Sequence, residues 1–102
     1  MGIDVFVESE SGEVQDEVLD EKTLTEKLLP DREDTISLCL RFVDPDGDTV
    51  FNAIQIPFLV TELENRLRVT SRPEVKSHGE KILKAVKATV GEVHTYVRFS
   101  GE

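Results

Sequence analysis

Ile56-Pro57-Phe58-Leu59-Val60-Thr61-Glu62-Leu63-Glu64-Asn65-Arg66-Leu67 is the stretch on which the fold turns. Ile56, Leu59, Val60, Leu63 and Leu67 fall at intervals of three, four, seven and eleven, which is one apolar stripe along a helix. Pro57 stands where a first helical residue is favoured, because its missing N–H has no helical partner to lose. After a break near Thr70, Ser71 and Pro73 restart a helix with Val75, Ile82, Val86 and Val90 on its inner side. Gly79 falls on the same stripe, where a missing side chain permits close packing. Lys76, Glu80, Lys81, Lys84 and Lys87 cover the outside, and Gly91 is placed to end the helix. Two successive amphipathic helices need an apolar surface to cover, and the flanking segments read as strands that supply it.

Upstream, Ile3, Val5 and Val7 alternate with Asp4, Phe6 and Glu8 at a strand period of two. Ser9-Glu10-Ser11-Gly12 punctuates the chain. The acidic segment 13–22 fits either a return strand through Val14 and Val18 or an irregular loop. Thr23-Leu24-Thr25-Glu26 has the form of a capping box with Thr23 as the cap, opening a short helix that Pro30 stops soon after Leu29. Asp31-Arg32-Glu33-Asp34 reads as a turn. Ile36, Leu38, Leu40 and Phe42 alternate with Ser37, Cys39 and Arg41 and give the clearest strand pattern in the chain. Asp44-Pro45-Asp46-Gly47-Asp48 ends it, and Thr49-Val50-Phe51 reads as a short return strand closing a hairpin. Downstream of the helices, Val93, Thr95, Val97 and Phe99 alternate with His94, Tyr96 and Arg98 in a final strand. The expected fold is therefore α+β, a single domain over residues 1–102 in the order β-α-β(β)-α-α-β. A small sheet of three to five strands would carry the two main helices on one face.

The bulk properties limit the function classes. The 102 residues suit one modest core. No apolar run approaches the ~20 residues that span a bilayer. Met1-Gly2-Ile3-Asp4 lacks the basic-then-apolar pattern of a signal peptide, and Phe6 occupies the position where a myristoylation motif needs Ser or Thr. One cysteine, Cys39, excludes an internal disulfide and suits a reducing, cytoplasmic location. The net charge of −9 is unevenly spread: residues 1–48 hold 15 Asp/Glu against 4 Lys/Arg, whereas residues 49–102 hold 6 against 8. An acidic half of that density disfavours nucleic acid and anionic membranes and attracts a basic protein. The lysines of the second helix keep a local basic patch in play.

Three groups of residues are candidates for chemistry. If the helices cover one sheet face, the other carries Asp4, Phe6 and Glu8, then Ser37, Cys39 and Arg41, then His94, Tyr96 and Arg98. Cross-strand ion pairs such as Glu8–Arg41 or Asp4–Arg98 would be ordinary sheet stabilisers. Phe6, Arg41, Tyr96 and Arg98 together would instead form a partner-binding or homodimer surface, since aromatics and Arg are enriched in binding hot spots. Asp44, Asp46 and Asp48 alternate like the opening of a calcium loop. Counted from Asp44, however, the sixth and twelfth positions are Thr49 and Gln55 rather than Gly and Glu, so a tight turn is the plainer reading. Cys39 and His94 could be paired as nucleophile and base, but no orienting group for the histidine is identifiable. No catalytic residue is assigned.

Asp44-Pro45-Asp46-Gly47-Asp48-Thr49-Val50-Phe51-Asn52, followed by Ile54-Gln55-Ile56-Pro57 and the leucine-rich helix, resembles a stretch found in a group of small uncharacterised bacterial cytosolic proteins. The ending Tyr96-Val97-Arg98-Phe99-Ser100-Gly101-Glu102 is similar to theirs as well. The resemblance implies a bacterial cytosolic setting and carries no activity, cofactor or site. The leading expectation is a non-enzymatic interaction module of inhibitor, immunity or adaptor type that meets a basic partner. A weak calcium-binding domain and a small enzyme using Cys39, His94 or the carboxylates are the alternatives.

Overall fold

A computed structural model of the chain describes residues 2–31 and 33–101. Four strands, β1 (Asp4–Ser9), β2 (Val14–Val18), β3 (Asp48–Phe51) and β4 (Thr95–Ser100), form one antiparallel sheet in the order β2-β1-β4-β3. Helices α1 (Ile56–Val69) and α2 (Pro73–Lys87) pack on one face of it, and single 3-10 turns occupy Thr25–Leu28 and Leu40–Phe42. The α+β class and the two-helix layer are as the sequence predicts.

Within segment 13–22 the return strand is β2, Val14–Val18, and residues 19–22 are a loop and turn. Ser9 donates its amide to the Glu13 carbonyl and Gly12 donates to the Ser9 carbonyl, closing a tight hairpin. Gly12 has φ +86, a left-handed conformation open to glycine at little cost. Pairing then alternates faces: Val5, Val7, Val97, Phe99 and Phe51 point to the helices and are buried. The rings of Phe51 and Phe99 meet edge-on with centroids 5.8 Å apart.

All five residues of the α1 stripe are buried, as are Val75, Ile82 and Val86 of α2. A Cβ on Gly79 would lie 2.5 Å from Leu67 Cδ2 and 3.0 Å from Leu28 Cδ1, so the glycine sets how closely α2 approaches α1 and the first 3-10 turn. The stripe ends earlier than its period suggests. α2 closes at Lys87, Val90 is half-exposed, and Gly91 (φ +87) belongs to the turn that follows.

Two expectations are corrected. Residues 36–42 are not a strand: Cys39 and Leu40, neighbours of opposite parity, are the buried pair, while Ile36, Leu38 and Phe42 face solvent. The cause is side-chain competition for the backbone. Glu62 of α1 accepts the amides of Leu38, Cys39 and Leu40, and Asp34 accepts those of Ile36 and Ser37, which leaves no donors for a ladder. Consequently β3 makes no hairpin with 36–42 and pairs with β4 instead. The capping box also fails. Thr23 has φ +55 and its hydroxyl donates to the Lys22 carbonyl, while the Asp20 carboxylate accepts the Leu24 and Thr25 amides in its place. Within the expected turn 31–34, Asp34 donates its amide to the Asp31 carbonyl; Arg32 lies outside the described residues, as do Met1 and Glu102.

Candidate functional site: an acidic surface and an exposed apolar loop

The helix-free face of the sheet centres on Arg98. Pairing registers place Phe6 and Val50 on either side of it and Tyr96 on the same strand face. The Arg98 guanidinium donates two hydrogen bonds to Glu8 Oε2 at 2.9 and 3.1 Å, stands 3.6 Å from Asp48 Oδ1 and stacks 4.6 Å from the centre of the Phe6 ring. The Glu8 hydrogen bond, together with the charges of Glu8 and Asp48, holds the guanidinium pKa above its ordinary value despite partial burial. Glu8–Arg98 therefore replaces the expected Glu8–Arg41 and Asp4–Arg98 pairs. Of the four residues read as a partner surface, Phe6, Tyr96 and Arg98 share this face. Arg41 does not: it lies in the second 3-10 turn, its guanidinium 4.5 Å over the Phe42 ring.

Cys39 and His94 are not brought together. The Cys39 thiol is buried and donates to the Gln55 carbonyl at 3.7 Å; burial and then the nearby Glu62 push its pKa up to about 11, so it is neutral at pH 7. His94, in a left-handed turn before β4, has Nδ1 3.1 Å from Glu10 Oε2.

The aspartate turn is a turn in fact. Gly47 donates its amide to the Asp44 carbonyl, and Asp44 Oδ1 folds back to accept the Asp46 amide. Asp48 faces Arg98, so the three carboxylates do not converge. Among the described residues no group of three His, Cys, Asp or Glu side chains is arranged to hold a metal ion.

His78 is the histidine that the structure draws inside. Its Nε2 lies 2.8 Å from Thr25 Oγ1 and 3.5 Å from Asp20 Oδ1. Desolvation lowers its pKa below 6.5 in spite of Asp20 and Asp4, with Lys81 acting in the same downward sense. Its helical position beside Val75 and Ile82 was the available signal.

The loop from Ile36 to Val43 is the least expected feature. Ser37 Oγ donates to Glu62 Oε1 at 2.5 Å, and the Leu38 amide donates to Glu62 Oε2 at 2.7 Å. The loop is thus pinned along α1 with Ile36, Leu38 and Phe42 turned outward. Carboxylates surround much of the same half of the chain. Glu13, Asp16 and Glu17 on the β1–β2 hairpin and Asp44 and Asp46 in the turn are exposed, and none has a cationic partner within ion-pair distance among the described residues. Lys76, Lys81, Lys84 and Lys87 are exposed on α2, and Lys81 and Lys84 line a cleft with Asp16 and Glu17 of β2, beyond ion-pair distance. No helix among the described residues is long and apolar enough to cross a membrane. Compared with protein-family models, curated proteins and solved structures, the chain returns no match.

Proposed function

We propose that the chain is a non-enzymatic interaction module that presents its acidic half to a basic protein in the cytoplasm, in the manner of an inhibitor, immunity protein or adaptor. The observation that carries this reading is the surplus of exposed carboxylates that make no ion pair among the described residues: Asp44 and Asp46 on the turn, Glu13 on the hairpin, and Asp16 and Glu17, which face Lys81 and Lys84 only across a cleft. Carboxylates kept unpaired repel one another and cost stability, and a basic partner recovers that cost on binding while the long-range field speeds encounter.

The test is capture of partners on the immobilised chain at low and high salt, with a Glu13→Gln/Asp16→Asn/Glu17→Gln variant run alongside. A specific basic protein held at low salt, released at high salt and weakened by the variant supports the reading. Retention indifferent to both salt and the variant overturns it, because screening must weaken an interaction between exposed charges.

A further inference from the structure

Exposed apolar side chains are ordinary when scattered, but here they gather. Ile36 is 87% exposed, Leu38 56%, Phe42 58%, Ile54 80% and Phe58 51%. The clasp sets Leu38 on the side of α1 that carries Glu62 and Phe58. The loop touches Gln55, the residue before α1, through Cys39 and touches Glu62 of α1 through Leu38. Phe58 lies one turn before Glu62 on the same side of α1, and Ile54 directly precedes Gln55. Beside Ile36, between loop and helix, is a groove of about 280 Å³ with Pro30, Ile36 and Leu40 on its apolar side and Glu62, Asn65 and Arg66 on its polar side. That is smaller than the ~300 Å³ at which small-molecule sites begin, and it suits one inserted side chain.

The backbone says what form the occupant takes. Every amide from Ile36 to Val43 is already donated: two to Asp34, three to Glu62, and those of Arg41, Phe42 and Val43 to Ser37 Oγ, the Cys39 carbonyl and the Leu40 carbonyl. The loop offers side chains and no main-chain donors, so it cannot accept an added strand, which would need them. An occupant must satisfy its own backbone, and a helix does so. The charge says which helix. Glu33, Asp34, Asp44 and Asp46 flank the loop in sequence; among the described residues the cations beside them are Arg41 in the loop and Arg66 in the groove, whose guanidinium is turned to the Leu28 and Leu29 carbonyls. A second copy of the chain, itself at −9, would bring like charge to this rim.

We propose that Ile36, Leu38, Phe42, Ile54 and Phe58 form the docking face for a basic amphipathic helix of the partner, with one bulky side chain seated in the groove. The inference rests on the acidic-surface reading above and locates it. The test is amide chemical-shift mapping of the full chain at low salt with two synthetic peptides of the same leucine and lysine composition. One has leucines at helical spacing and the other is scrambled so that no apolar face forms. The helical peptide is expected to shift amides of residues 36–43 and 54–58 saturably. It should bind the Leu38→Ser/Phe58→Ser variant roughly tenfold or more weakly, as loss of apolar anchors does. Both residues are exposed, so the variant's melting temperature should stay near that of the parent.

Equal binding of the two peptides, with shifts confined to the hairpin, overturns the docking face and leaves the acidic reading standing. Failure of both peptides to bind overturns both. Shifts at residues 36–43 that grow with protein concentration in the absence of peptide assign the face to a second copy and overturn the helix.

Discussion

Asp20 is buried with both carboxylate oxygens occupied. Oδ2 accepts the amides of Ile3 and Thr25, and Oδ1 accepts that of Leu24 at 2.6 Å. Burial alone would raise its pKa; the three amides and His78 outweigh burial and hold it below 3.8. Removing the acceptor strands three donors, so Asp20→Ala should cost about 3 kcal/mol in a urea melt. The pH dependence follows from the same cluster. His78 is depressed below 6.5, so its contribution is complete above that value and declines as pH falls through it. Asp20 is depressed below 3.8, so its share is lost only in stronger acid. Stability should therefore fall in two stages on acidification, and His78→Gln should flatten the first. An unchanged first stage in that variant would show that His78 is not its source. None of this cluster was legible in the sequence, because Asp20 sits in an acidic run and nothing marks it off from its exposed neighbours. At Gly79 the sequence was a good guide. Gly79→Ala gains roughly 1 kcal/mol of helix propensity against small shifts of two leucine tips, and should be near neutral. Gly79→Val overfills the same space and should lose about 2 kcal/mol.

At the scale of elements, Glu62 decides what residues 36–43 become. Glu62→Ala frees three amides and Ser37 Oγ at once, and is expected to abolish hydrogen-exchange protection at Leu38, Cys39 and Leu40 while α2 stays protected. Retained protection at those residues would mean that the loop holds itself. The helices were readable because their stripes are long, five positions in α1 and four within α2 (Val75, Gly79, Ile82 and Val86) repeating the same period. Ile36–Phe42 misleads because a period of two over seven residues is also what a loop shows when its large side chains point outward. The contrary signal was Asp34 two and three residues ahead of Ile36 and Ser37, a spacing at which a carboxylate captures amides. The acceptor that completes the loop, Glu62, is more than twenty residues away and could not be anticipated from local pattern. The aspartate turn is the opposite case, read correctly as a turn from Pro45 and Gly47. With Asp44 folded onto the Asp46 amide and Asp48 on Arg98, millimolar calcium should leave the melting temperature where EDTA leaves it.

Over the whole molecule, charge dominates. The surplus of carboxylates was plain from counting, but which of them lack internal partners required the fold. Screening should relieve their repulsion, so the melting temperature is expected to rise from low to moderate sodium chloride. A fall would indicate that the few ion pairs, chiefly Arg98 with Glu8, outweigh the repulsion. Of the sheet, β1 and β4 were visible in their alternation and β3 as a short return strand, but 36–42 reads as a member and is not one, and the strand order depends on long-range pairing that no local pattern encodes.

That pairing has a consequence for timing. β1 and β4 are neighbours at the centre of the sheet, with Asp4 opposite Ser100. The middle of the sheet is thus made from the first and the last strands of the domain, and β3 has only β4 to lie against. Closing a loop of that length costs several kcal/mol of chain entropy before any ladder bond repays it. The helices and the β1–β2 hairpin can form early, but the facing edges of β1 and β3 stay unpaired until residues 95–100 arrive. On a ribosome the sheet would remain unfinished until β4 has emerged, and in a refolding experiment the late step would be the pairing of β4 with β1.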